Sequence, residues 1–444
     1  MDHLRQSTMR EVRDPAFALL LASIAVSLIK AVEQPGVTIA LAGTSARLVP
    51  SDLLLALLAV VIAVRVARTR SYPRPAVGLT VAAAALASLI LVTGLANGGA
   101  AVVAAGKLVI LAVLLVASVV LIDSADRLWL VTLLLVVVTT AAVAWALVGF
   151  AQHPGDRQAS FLGEHDLAAL STVSLVVGLA ALHCRHRLSR LPLAAGIVGS
   201  LGIVLGAALA SLLGLYLAGA ALIAIAAMRR SLRLRSVIIT VLVAVVLTGA
   251  TYTLRSSDLG FLREWFAPAE NAKPGQYAGG WSQRLIFAYV GGRVFLDHPL
   301  LGTGWWGELP PSEYARFLPA ARARFPDQPL HYFPPDHGTF IPQQTFDQVG
   351  YELGIVGIAL LLALIAAAAR DALVTGRLWP RGDRDELAAY LAAGWLASLL
   401  GVIAGSALFG GTPIAALFWL TFGLVAASSV LATSISRPRE PEPG

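Results

Sequence analysis

At 444 residues, with 57% hydrophobic and only 13% charged side chains and a mean hydropathy of +0.76, the chain lies far from the composition of a soluble globular domain. The formal charge of +7 argues for a membrane surface rather than nucleic acid, because the excess sits in short loops between apolar runs, beside anionic headgroups. A single cysteine, Cys184, excludes an intramolecular disulfide and a cysteine metal cluster.

Apolar runs near the length that crosses a bilayer fall at residues 16–33, 51–68, 76–96, 100–122, 128–150, 166–184, 191–209, 211–228, 236–254, 347–369, 387–408 and 413–433. They predict an all-α integral membrane protein of about 12 transmembrane helices with one large extracytoplasmic loop containing short interfacial helices. The organisation expected is nine spans with short loops in 1–254, the loop in 255–342, three spans in 343–433 and a disordered cytoplasmic tail in 434–444. The first run is long enough to remain as a span, so no cleavable signal is expected. Gly36 to Ala42 is apolar but too short to cross and is read as a dipping loop. Lys30 and Lys107 are the deep cations of the spans.

Positive charge sets the orientation. With the N-terminus inside, twenty-one of the 33 Lys and Arg lie on the cytoplasmic side, among them Arg65 to Arg74, Arg229 to Arg235 and Arg370 to Arg384. The 255–342 loop then faces outward, carrying eight basic and eight acidic residues, four Trp and three His.

Two outer loops hold most of the polar chemistry. In 151–165 and just beyond, Glu164 and Asp166 suit the N-terminus of the following helix, whose free N–H groups favour negative charge. Arg157 has no such local role; it serves either headgroup contact or an anionic ligand. In the long loop, Trp281 to Val290 reads as an interfacial helix that the pair Gly291–Gly292 weakens. It runs into Asp297-His298-Pro299-Leu300-Leu301-Gly302-Thr303-Gly304-Trp305-Trp306, a tight turn in which Gly302 and Gly304 let a backbone approach a ligand. Trp281, Trp305, Trp306 and Tyr332 fit sugar stacking and an interfacial aromatic belt equally. Lys107 is costly in a span unless it is paired or faces a cavity; it either faces an outer ligand or snorkels to the surface.

Arg284, then His298-Pro-Leu-Leu-Gly-Thr-Gly304, then Tyr351-Glu352-Leu353-Gly354-Ile355-Val356-Gly357 opening a helix, together resemble the O-antigen ligase/polymerase family of bacterial membrane glycosyltransferases. Arg157 to Leu170 is similar to a second element of that family, with Gly163-Glu164-His165-Asp166 standing where its Gly-Asn-Pro-Asn-like turn would be. The resemblance implies transfer of a glycan from a polyprenyl-diphosphate carrier outside the cytoplasmic membrane. Its diphosphate-binding arginines match Arg157 and Arg284 by position. That suits the residue type, because a guanidinium binds phosphate oxygens in pairs and stays charged.

One departure stands out. The family's His-Asn-like pair, whose histidine is held to activate the acceptor hydroxyl, falls on Gln343 and Gln344 here, and glutamine is no general base. His337, with Asp336 beside it, is the candidate replacement, since imidazole titrates near working pH; a base-free mechanism is the other reading. His331, Asp336 and His337 match no standard metal-ligand spacing, and the resemblance implies a metal-independent, inverting reaction without cofactor. The expected partners are the carrier-linked donor, a glycan, lipid or cell-wall acceptor, and membrane lipids. A flippase for the same lipid-linked glycan is the rival, disfavoured by the scarcity of polar residues in the spans and the absence of broken helix pairs in matching halves.

Overall fold

The computed structural model describes residues 11, 13–41, 43–154, 156–184, 190–254, 279–307, 309–326, 328–333, 343–382 and 386–436. Each of the twelve apolar runs is helical, because a helix is the element that satisfies its own backbone polar groups in hydrocarbon. In chain order these helices are α1 (Pro15–Ser27), α2 (Pro50–Thr69), α3 (Val77–Ala96), α4 (Gly99–Ile110) with α5 (Val113–Leu121), α6 (Ala125–Gln152), α7 (Glu164–His183), α8 (Arg190–Gly206), α9 (Leu209–Met228) and α10 (Leu234–Leu254). After the long loop come α14 (Thr345–Leu378), α15 (Ala388–Ile403) and α16 (Pro413–Ser436). Nine of the spans among the described residues are long and apolar enough to cross a membrane, and α1, α8 and α15 are shorter apolar helices.

The structure departs from the sequence reading within three of the runs and in one loop. The run 100–122 breaks at Leu111–Ala112 into α4 and α5, and the run 387–408 stops being helical at Ile403, leaving 404–412 as irregular backbone. The run 16–33 ends as a helix at Ser27, so Lys30 sits in a turn, not in a span. The segment read as a dipping loop is the first strand of a hairpin, β1 (Val37–Leu41) paired antiparallel with β2 (Thr44–Leu48), with Val37 opposite Leu48. The β-branched Val37, Thr38 and Ile39 favour extended backbone, and Arg47 Nη2 ties the hairpin's base to the Gln34 carbonyl at 2.7 Å.

Packing is close where side chains are small. Along α8, an added Cβ would strike Gly196 from Gly178, the Leu175 backbone from Gly199, and the Glu164 carbonyl from Gly206 at 2.8 Å, so α7 and α8 meet backbone to backbone. α16 is buried over nearly its whole length and reads as apolar all round, as a central helix must.

The described part of the long loop folds on itself. α11 (Gly279–Asp297) is followed by α12 (Pro311–Ala315), α13 (Leu318–Arg324) and a 3-10 turn at Leu330–Tyr332. Ile286, Val290 and Val294 of α11 are fully buried against Phe317, Leu318, Ala321, Phe333 and Tyr351, a second core separate from that of the bundle. That burial keeps α11 helical through Gly291–Gly292 to Asp297, overriding the propensity penalty of two glycines of about 1 kcal/mol each.

Candidate functional site

The site is built around a break in α14. Gly354 has φ +62 and ψ −156 inside the helix, a conformation essentially reserved to glycine. The break frees backbone groups, and the His298–Trp306 turn fills it. The Ile355 N–H donates to the Pro299 carbonyl at 2.8 Å, and the Thr303 N–H donates to the Tyr351 carbonyl at 3.0 Å. A Cβ on Gly354 would stand 2.5 Å from the Leu300 carbonyl carbon, and one on Gly302, at φ +61, would stand 2.6 Å from the Glu352 carbonyl carbon. The two motifs that stood 47 residues apart in sequence, Gly304 to Tyr351, are thus one packed unit. Asn97 closes it from α3, donating through Nδ2 to the carbonyls of Thr303 (3.2 Å) and Trp305 (3.1 Å). Gly304, at φ +82, is held against that same amide.

The turn also answers the aromatic question in part. Trp305 is buried, its backbone N–H donating to Thr93 Oγ1 at 3.2 Å, whereas Trp306 is exposed and meets Phe409 edge to face at 6.5 Å. Beyond the turn, His298 Nε2 lies 3.0 Å from Glu313 Oε1, and Arg316 pairs with Asp297 and Glu313.

A second element, the 404–412 segment between α15 and α16, links the predicted residues to one another. Arg284 Nη1 donates to the Gly405 carbonyl at 3.2 Å, and on the adjoining residue the Ser406 carbonyl accepts from Thr345 Oγ1 at 2.6 Å. Thr345 opens α14, with Gln344 as its N-cap residue and Gln343 just before it. Arg284 and the glutamine pair are therefore brought to one loop by two successive carbonyls. Gln348, one turn on and fully buried, grips the segment further along. Its Oε1 accepts from the Leu408 N–H at 2.8 Å and its Nε2 donates to the Leu408 carbonyl at 3.1 Å, with Glu352 Oε2 3.4 Å from the same nitrogen. Glu352 is buried as well and accepts from the Trp306 backbone N–H.

The same segment reaches both cations. Gly410 packs on Lys107, whose Nζ lies 2.7 Å from Asp52 Oδ2, so Lys107 is paired inside the bundle end instead of snorkelling. The Gly411 carbonyl accepts from the Ala31 N–H at 3.0 Å, beside Lys30, whose ammonium approaches Gly163 and attracts Asp166. Asp166 stands in the first turn of α7, where its carboxylate meets its own backbone N–H, and it also reaches a second helix. Gly163 is the N-cap of α7 without a side-chain bond, while Asp166 Oδ1 accepts from the Ile414 N–H at 2.9 Å and satisfies an orphan donor at the start of α16.

Arg157 is a brace between helices. Its Nη1 lies 2.9 Å from Glu164 Oε2, and its Nε and Nη2 both donate to the Gly206 carbonyl at 3.2 Å. Gly206 ends α8, and four residues on, Ala210 touches Gly405, the carbonyl partner of Arg284. The chain's reach over those four residues, with the contact from Ala210 to Gly405, puts the two anchor points within about 20 Å of each other. Asp336 and His337 lie outside the described residues, as does the loop from 255 to 278 and the tail beyond Ser436.

Sequence reasoning missed Gln348, Asn97, Asp52 and the 404–412 segment. Gly405, Gly410, Gly411 and Pro413 punctuate that last stretch and were the available signal. Compared with known proteins, residues 193–362 match the family model described as O-antigen ligase, a span that contains Arg284, Gly302, Gly304, Gln343 and Gln344 but neither Arg157 nor Lys107. No curated protein matches the chain.

Proposed function

We propose, for a chain that belongs through residues 193–362 to the O-antigen ligase family, that it is a membrane glycosyltransferase acting on a polyprenyl-diphosphate-linked glycan outside the cytoplasmic membrane. The acceptor hydroxyl attacks the donor's reducing-end carbon, the carbon–oxygen bond to the diphosphate breaks with inversion, and the diphosphate leaves with the electron pair. The observation that carries this reading is the convergence of Arg284, the α14 N-terminus and the Gly302–Gly304 turn on one end of the bundle, all within the matched span.

In this reading Arg284 and Arg157 exchange backbone carbonyls for phosphate oxygens when the carrier binds, and stabilise the charge that gathers on the leaving group. Fixed donors aimed at developing charge contribute about 2.7 to 4 kcal/mol each in comparable sites. Lys107 takes a smaller part, since Asp52 already balances its charge. Gln343 and Gln344 orient the acceptor at the helix start, and His337, or Asp336 beside it, takes the hydroxyl proton. No metal is required, because two guanidinium groups supply the positive charge. The arginine-rich ends of the short loops lie in the cytoplasm and the site end faces outward, the orientation that positive charge favours. The membrane is the bacterial cytoplasmic membrane, where carrier-linked glycans are presented. The acceptor is a lipid core, a second carrier-linked glycan, a cell-wall polymer or a protein.

The test is incubation of purified protein with carrier-linked glycan and each acceptor. Free polyprenyl diphosphate released in step with an extended acceptor supports transfer. Unchanged donor that crosses a vesicle membrane in the protein's presence supports a flippase and overturns the proposal.

A further inference from the structure

A second site lies at the opposite end of the bundle. Between α2 and α3, backed by α4 and α5, is a cavity of about 430 Å³ lined by Ala63, Val66, Ala84, Val113 and their neighbours. Small side chains create it, and the exposure of Ala63 and Ala84 leaves it open sideways, toward lipid. The polar side chains among its lining residues are Tyr72 and Thr80, whose hydroxyls satisfy each other. Thr80 Oγ1 donates to the Ala76 carbonyl at 2.9 Å and so accepts from the Tyr72 hydroxyl at 2.6 Å. A wall with no open hydrogen-bonding group does not hold ordered water and is filled by hydrocarbon. The volume is about three times that of an apolar cavity that takes benzene, room for a chain of roughly sixteen to eighteen carbons.

The charge beside this cavity says what the chain is attached to. Tyr72 stands between Arg70 and Arg74, and Val66 is one turn from Arg70; Arg68, Arg70 and Arg74 are exposed and make no ion pair among the described residues, whereas Arg65 faces Asp14 at 3.7 Å. Three cations in the 68–74 stretch that joins the two walls of an apolar slot complement a phosphate attached to an acyl chain. The place excludes the transfer site as the source of that phosphate. Asp52, at the far end of α2, is the residue that pairs with Lys107 beside the 404–412 segment, and the seventeen residues from Asp52 to Thr69 rise roughly 25 Å. We propose that the cavity between α2 and α3 binds one acyl chain of an anionic glycerophospholipid whose headgroup phosphate rests on Arg68, Arg70 and Arg74, in the leaflet opposite the transfer site. This rests on the chain spanning a membrane and not on the chemistry proposed for the other end.

Native mass spectrometry of the full chain, with phosphatidylglycerol and phosphatidylcholine added at matched amounts, tests it. The wild type is expected to retain a single phosphatidylglycerol preferentially. Ala84→Phe fills the mouth and should lower retention at least tenfold, and the triple Arg68→Gln, Arg70→Gln, Arg74→Gln variant should abolish the preference, at about fivefold per arginine. Ala63→Leu is the second cavity variant, and Val60→Phe, on the lipid face of α2, controls for bulk alone and should retain the lipid. Equal retention of both lipids, unchanged retention in both cavity variants, or displacement of phosphatidylglycerol from the wild type by free polyprenyl diphosphate would each overturn the proposal, the last by assigning the slot to the carrier's tail.

Discussion

Replacing Gln348 by Leu isolates the contribution of the 404–412 segment to the site. The wild-type amide makes a two-way bond with Leu408, at 2.8 and 3.1 Å, inside a buried environment that offers those backbone groups no water. Leucine fills similar volume and leaves a buried N–H and a buried carbonyl unsatisfied, each costing about 1 to 3 kcal/mol, so destabilisation of roughly 2 to 6 kcal/mol is expected. The segment can recover part of that cost by moving, and movement carries Gly405 away from Arg284. Stability and turnover should therefore fall together: a lower thermal midpoint, and release of polyprenyl diphosphate reduced at least tenfold with a raised KM for the donor. Gln348→Asn, one methylene short of Leu408, should not rescue either readout. A Gln348→Leu protein with wild-type melting and wild-type KM would refute the claim that this clamp sets the loop.

Four further outcomes are expected. Arg284→Lys should insert and purify normally yet lose most turnover, because a point charge attracts a diphosphate without orienting it; wild-type turnover removes Arg284 from the site. Gly354→Ala combines a glycine-only backbone conformation, about 1 to 3 kcal/mol, with a backbone overlap at Leu300 that no rotamer relieves, about 1 to 3 kcal/mol more, and should be seen as a melting shift and a fall in activity. His337→Ala should cut turnover by about 100-fold to 10,000-fold and His337→Gln should do no better; an active alanine variant moves the test to Asp336. Activity should survive chelation by EDTA, and loss of turnover restored by one specific metal would make ligands of His331, Asp336 and His337.

The positions of the helices were legible because a bilayer imposes a length and a polarity that twenty consecutive residues reveal by themselves. So were the family motifs, since Gly302, Gly304 and Gly354 mark backbone conformations that few other residues adopt. What the local pattern could not carry was the choice of long-range partner. Asp166 serves the first turn of its own helix, as its position suggests, and also accepts from the Ile414 N–H at the start of α16, 248 positions away, a partner that only the packing of α7 supplies. Lys107 has no visible partner in the sequence until α2 places Asp52 against it, and Arg157 offers no local partner until the end of α8 supplies a carbonyl. The Gly291–Gly292 pair looks like a helix weakness until a second core holds the helix straight through it. Composition and periodicity describe what a segment does with itself. Which carbonyl an arginine takes, and which loop joins two motifs into a site, depends on helices meeting in three dimensions, and only the tertiary structure decides that.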